Sequence, residues 1–334
     1  MASAAQRRIR SISYAKYGYF FILPFFLVYC FFQLYPLFNT FYLSFFGNGK
    51  KFDDFVGLQN FQALLFGTGM GRTSSAIHET FIQTLGNTFI VWIGNFIPQI
   101  VLSLALAVWF TDAKLKIKGK GFFKVVMYMP NILTAASIAA LYLSLFAESK
   151  YGPVNNLLMS IGIIDNPIKF VTGVWQSRGM VMFIQCWMWF GNTMIMLMSG
   201  IMGLNPSLFE AANIDGASSG QVFRKITLPL LSPMMLYTVV TSMIGGLQMF
   251  DIPNLLVKNG GPNEIAKTVV MDISNGISGS ADVGFAATES VVLFFVAGII
   301  GIFLFKLMES DDDKEARANK KAQKKALKNA KKGA

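Results

Sequence analysis

EAANIDGASSGQVFRKITLPLLSP, residues 210–233, is a short polar island between two long apolar segments. Asn205, just ahead of it, is a suitable N-cap, and Pro206 suits the first helical position. Leu208, Ala211 and Ala212 follow at helical spacing, and Gly216 can end a helix in the left-handed conformation. The spacing predicts a helix over about 206–216, roughly 15 Å long at 1.5 Å per residue. A bilayer span needs about 20 apolar residues, and this helix also carries Glu210 and Asp215. Held between two spans, it would offer a small-residue face (Ala211, Ala212, Gly216, Ala217) to the aqueous phase.

The rest of the chain supplies the spans. Of its 334 residues 53% are hydrophobic and only 14% charged, with a mean hydropathy of +0.49. Soluble domains carry about 25% charged residues, so the deficit points to an all-α, polytopic membrane protein whose backbone is satisfied within helices. Apolar runs predict six transmembrane helices, at about 17–46 (ending near Pro36 or slightly beyond), 84–110 with Pro98 inside, 122–147, 179–203, 228–250 and 284–308. The first run is too long for a signal peptide, and no small-residue cleavage site follows it. The organisation expected is a basic arm, 1–16, a six-span domain, 17–308, and a lysine-rich tail, 309–334.

Six spans put both termini on one side, and the distribution of Lys and Arg selects which. With the N-terminus inside, 1–16 holds four, 111–124 five, the island Arg224 and Lys225, and the stretch from Lys306 onward ten. That is 21 inside against 8 in the three outside loops, and 11 against 8 without the last stretch. The island is therefore expected to be cytoplasmic. The net charge of +11 largely reflects this bias; the basic runs lack interleaved aromatics, which argues against nucleic acid. The tail either binds anionic lipid or is simply solvated.

Bond chemistry has little support. Cys30 and Cys186 lie in apolar spans, and His78 is the lone histidine. No cluster has metal-ligand spacing, and the sequence holds no H-E-x-x-H, G-x-S-x-G or phosphate-binding G-x-x-x-x-G-K-[ST]. Any ATP and Mg must be bound by another chain.

Glu210-Ala211-Ala212, Gly216, Ile226, Leu228 and Pro229 at these intervals resemble the EAA motif of ABC-importer permeases. Asp215-Gly216-Ala217, Phe223 and 226–230 narrow the resemblance to the carbohydrate branch, similar to maltose-type permeases. VGLQNFQALL at 56–65, YGPVNNLLMSIG at 151–162 and NGGP at 259–262 are also similar to that family, so the likeness covers roughly 17–308. It implies the type I ABC-importer permease fold, with the EAA helix as a coupling helix docking on a separate ATPase. Glu210 would pair with an arginine there, Ala211 and Ala212 would pack closely, and Gly216 would make the turn beside Asp215. The implied partners are two ATPase subunits, a second homologous permease, an extracytoplasmic solute-binding protein and membrane lipid. The implied location is the cytoplasmic membrane of a bacterium or archaeon, crossed several times.

Polar groups within spans are costly and tend to face a cavity. Gln185, Trp187, Trp189, Asn192 and Thr193 lie in the fourth span; Ser242, Gln248, Phe250 and Asp251 lie toward the end of the fifth. Aromatic faces with neutral amides suit sugars. The resemblance implies that Met188, Trp189 and Asn192 occupy sugar-contacting positions, whereas the residues alone fit interhelical packing equally well. Glu289 departs from the family pattern, where an apolar residue is usual; it could face the pathway, pair with the partner permease or snorkel to the outer surface.

The expected function is sugar or oligosaccharide import by a permease subunit that is not itself an enzyme. Glycerol phosphate or another polyol derivative would use the same architecture, but would favour Arg or Lys in the cavity. An ATP-independent secondary transporter is a rival of another class; internal repeats and discontinuous helices would mark it. A membrane enzyme would need convergent catalytic groups, which the sequence lacks.

Overall fold

The computed structural model describes residues 15–47, 54–69, 73–112, 115–278 and 283–307. Most of the basic arm and the whole lysine-rich tail lie outside them. Among the described residues five helices are long and apolar enough to cross a membrane: Tyr17–Leu43, Thr73–Thr111, Val174–Met202, Ser232–Leu256 and Val283–Leu307. A bent pair, Lys120–Ile132 and Ala135–Leu145, makes a sixth crossing when its two halves are counted as one span. Among the described residues the only β pairing is an isolated bridge between Phe46 and Phe55.

The third crossing is not the straight span expected over 122–147. Met129–Ile132 tightens into a 3₁₀ turn, Leu133 and Thr134 are extended, and the two halves meet at 97°. Pro130 has no N–H to continue the ladder, while Thr134 starts the second half by accepting from the Ser137 amide at 3.3 Å. Boundaries elsewhere moved because polar residues do not stop a helix; they only stop it being apolar. The second helix begins at Thr73 rather than 84 and has 39 residues, roughly 58 Å at 1.5 Å per residue. The fourth begins at Val174, so Arg178 belongs to its opening turns rather than to a loop.

The fifth crossing is assembled from pieces. A capping box between Ser218 and Gln221 opens Ser219–Val222, a π turn follows at Phe223–Thr227, and the main helix runs Ser232–Leu247. It breaks at Gln248 and Phe250 and resumes as Asp251–Leu256.

Two compact units emerge, Met1–His78 with Asn275–Val291, and Glu79–Ser274 with Val292–Ala334. In the first, buried Asn60 donates to the carbonyls of Ser44 (3.1 Å) and Phe46 (2.8 Å), and Thr288 donates to Ser44 as well (3.1 Å). The membrane-length window of the first helix buries no residue within the chain. In the second unit, Val91, Ile138, Ile184 and Ile252 form one packed cluster, and Leu106, Met194, Leu197 and Leu231 another. Helices in lipid associate through close packing rather than water exclusion. Glycines permit it here: a Cβ on Gly191 would strike the Met127 carbonyl, and one on Gly246 the Trp92 ring.

Candidate functional site

Two cavities lie within the second unit. The first, about 380 Å³, is framed by the second, fourth and fifth crossings and by Ala135 at the bend of the third. Its wall is built where the backbone is irregular: the bend before Ala135 and the break at Gln248 and Phe250 both border it. Non-helical backbone at membrane depth is tolerated where it lines a water-filled space, so both breaks fit a hydrated cavity.

Gln185, Met188, Trp189, Asn192, Ser242, Gln248, Phe250 and Asp251, all singled out in the sequence, line this cavity. Glu289 is not in this lining; it sits in Val283–Leu307 at 8% exposure, in the first unit. Sequence reasoning missed the contribution of the second helix: Trp92, Asn95 and Gln99 also line the cavity. Their spacing of three and four residues places them on one helical face, a signal that was available in the sequence. Tyr237, Thr238 and Thr241 complete the polar and aromatic wall.

The lining is ordered by hydrogen bonds across helices. Gln99 donates to Thr193 Oγ1 at 2.8 Å, the Trp92 indole donates to Ser242 Oγ at 3.2 Å, and Ser103 donates to the Phe190 carbonyl at 2.8 Å. These bonds tie the second helix to the fourth and fifth and hold aromatic faces and amides around one space. Among the described residues Asp251 is the only charged one in the lining, and none there is Lys, Arg or His. The arrangement can stack on an apolar ring face and exchange hydrogen bonds with hydroxyls.

The second cavity, about 400 Å³, lies at the far end of the fourth helix, beside the polar island. There Asn205 caps Pro206–Ile214, its side chain accepting from the Ser207 amide at 3.1 Å, and Gly216 turns the chain at φ +74°. Glu210 is exposed and borders this cavity with Thr111, Asp112, Asn213 and Phe223. The expected small-residue face is only partly presented. Ala211 and Gly216 are exposed, as is Asp215, but Ala217 is half-buried and Ala212 is 6% exposed and packs within the chain. Ile214, which sequence reasoning passed over, is 86% exposed at the end of the same helix.

Comparison with known proteins places the chain. Residues 63–311 match the family described as binding-protein-dependent transport system inner membrane component. The lactose transport system permease protein LacF of Rhizobium radiobacter is 29% identical over 290 residues, covering 86% of this chain and 92% of that protein. The arabinooligosaccharides transport system permease protein AraP of Bacillus subtilis (strain 168) is 28% identical over 311 residues, covering 92% and 94%. The fold is shared with a chain from the crystal structure of a bacterial ABC transporter involved in the import of the acidic polysaccharide alginate. That match has a TM-score of 0.74 and 23% identity, and covers 90% of this chain and 98% of the other. The chain belongs to the family of binding-protein-dependent transport system inner membrane components, the permease subunits of ABC transporters.

Proposed function

We propose that this subunit forms half of the path by which an ABC importer moves a neutral sugar or oligosaccharide across the cytoplasmic membrane. The observation that carries the reading is the first cavity: Trp92, Trp189, Tyr237 and Phe250 stand among five neutral amides, with no basic side chain. A phosphate-bearing cargo would be expected to draw Arg or Lys into that lining, so the glycerol phosphate alternative is disfavoured. The names of LacF and AraP, both sugar permeases, support the same class.

The island helix Pro206–Ile214 is the coupling element, facing the cytoplasm together with both termini. Its exposed Glu210, Ala211, Ile214 and Asp215 dock on a separate ATPase, which binds ATP and Mg, and Gly216 makes the turn that presents them. A second permease completes the path, two ATPase subunits drive it, and an extracytoplasmic binding protein delivers the cargo. Family membership in a binding-protein-dependent system argues against an ATP-independent carrier.

The test is sugar-stimulated ATP hydrolysis by the purified complex in proteoliposomes with its binding protein, offered lactose, an arabinan trisaccharide and glycerol 3-phosphate. Stimulation by a neutral saccharide is expected. Trp189→Ala is then expected to raise the half-saturating cargo concentration roughly tenfold, corresponding to about 1.4 kcal/mol of ring contact. Stimulation by glycerol 3-phosphate alone would overturn the assignment of cargo.

A further inference from the structure

The main helix of the fifth crossing ends at Leu247, and the chain leaves helical geometry at Gln248 and Phe250 before Asp251 starts the next turn. Asp251 lines the first cavity and is exposed. Among the described residues its carboxylate has no hydrogen-bond or ion-pair partner. An ionisable side chain within a span is costly to keep and marks the path of a substrate or ion.

The wall around it has the same polarity. The Trp92 indole gives its one N–H to Ser242 Oγ at 3.2 Å. Thr238 gives its hydroxyl hydrogen to the Met234 carbonyl (2.8 Å), and Thr241 gives its own to the Tyr237 carbonyl (2.7 Å). A threonine hydroxyl has a single hydrogen, so both threonines have only lone pairs left to offer. Asn95 and Gln99 each spend one of two amide hydrogens within the chain, on the Val91 carbonyl and on Thr193 Oγ1, both at 2.8 Å. The faces of Trp189 and Tyr237 carry the negative side of an aromatic quadrupole. Gln185 and Asn192 donate and accept alike and favour neither sign. Carboxylate, threonine oxygens and ring faces thus bias the cavity one way. It favours groups that bring hydrogens and disfavours groups that bring only lone pairs and negative charge.

We infer that Asp251 is the residue that selects cargo by charge: the cavity takes saccharides that present hydroxyl or amino groups and rejects those bearing carboxylate or phosphate. The inference deepens the saccharide reading given under the proposed function and rests on it. Cargo hydroxyls donate to the carboxylate in charge-assisted hydrogen bonds. An anionic substituent about 6 Å from a carboxylate, at an effective dielectric of about 20, is repelled enough to weaken binding roughly a hundredfold. The neutral amides produce no such difference, because each can turn either its oxygen or its nitrogen to the cargo. Asp251→Asn keeps the shape and removes the charge, so it isolates this contribution.

The test reads the cavity's field with charged thiol reagents. The complex is purified through a tag on this chain, with Cys30→Ser and Cys186→Ser as background and Gly245→Cys as reporter. Gly245 lines the cavity, and a Cβ there meets nothing within 4 Å. Modification of this chain by two thiosulfonates of similar size, one bearing trimethylammonium and the other sulfonate, is timed in that background and with Asp251→Asn or Asp251→Glu added. The cation-to-anion rate ratio is expected to fall at least roughly tenfold with Asn and to be kept with Glu. A ratio that Asn leaves unchanged, or a reporter that neither reagent reaches, would overturn the inference. Protection of the reporter by trisaccharides of glucosamine and of galacturonic acid provides a second reading. With Asp251 present, the amino form is expected to protect at a concentration at least roughly tenfold lower, and Asp251→Asn to bring the two within about threefold. Equal protection by both with Asp251 present contradicts the inference. If no saccharide protects while Asp251 still sets the rate ratio, the saccharide reading of the proposed function fails instead, which separates the two failures.

Discussion

The second and fourth helices run side by side from one end of the second unit to the other, and their two ends are finished differently. At the end bearing Asn87 and Arg178, polar side chains bond to backbone far away in sequence, and the groups are buried. At the end bearing the island, local side-chain hydrogen bonds shape the helix starts: Asn205 with Ser207, and Ser218 with Gln221. Carboxylates and a large apolar side chain, Ile214, stand exposed there. The two ends differ in what they present: one buries polar groups bonded across the chain, the other leaves carboxylates and Ile214 exposed, the surface to which the proposed function assigns the ATPase.

If that contrast is sound, substitutions at the two ends should fail in different assays. The largest effect is expected from Asn87→Ala. It strips a donor from the buried Lys267 carbonyl and an acceptor from buried Arg178, and leaving buried groups unsatisfied costs about 1–3 kcal/mol. The expected outcome is a lower melting temperature of the purified complex with the ATPase still bound; an unchanged melting temperature would break the comparison at this end. Ile214→Ala should behave in the opposite sense. Truncating an anchor at an interface costs about 2 kcal/mol, roughly 30-fold in Kd. ATPase retention on a tagged complex should fall while the melting temperature of this chain's helices is kept.

A smaller, pH-dependent effect sharpens the comparison. Glu148 accepts from the Val171 and Thr172 amides (2.5 and 2.6 Å) and from the Thr172 hydroxyl (2.6 Å), pinning the connection between the third and fourth crossings. Burial pushes its carboxyl upward, but these bonds, with Lys169 nearby, more than offset it and hold the group below its ordinary 4.5. A depressed carboxylate contributes stability that is present above the unfolded value and lost as pH falls through the folded one. Amide-exchange protection at Val171 and Thr172 should therefore hold from neutral pH to about 4.5 and decline only below it. Glu148→Gln should weaken protection at neutral pH and remove its acid dependence.

What could be read from the sequence follows the range of the forces involved. The island helix was legible because Asn205, Pro206 and Gly216 act on their immediate neighbours. Gln185, Trp189, Asn192, Thr193, Ser242, Gln248, Phe250 and Asp251 were legible because polar and aromatic groups in an apolar span stand out, and Met188 was named only through the resemblance. Trp92, Asn95 and Gln99 were passed over because they sit in a long helix whose apolar character dominates, although they share a face. The 97° bend was not foreseen: Pro130 was visible, but proline alone does not fix an angle, and the break needed the Thr134 cap beyond it. The hydrogen bonds of Arg178 and Asn87 could not be read at all, since those two residues are 91 apart and Asn87 and Lys267 are 180 apart.

The central claim is that an exposed, locally built helix transmits the work of a separate ATPase to the cavity. It is tested most directly by comparing ATP hydrolysis and saccharide uptake in proteoliposomes of the native complex and of its Glu210→Ala and Gly216→Pro forms. The prediction is that an ATPase and a second permease accompany the native chain, and that each substitution either releases the ATPase or leaves hydrolysis running with little uptake. Undiminished, coupled uptake in both forms would contradict it.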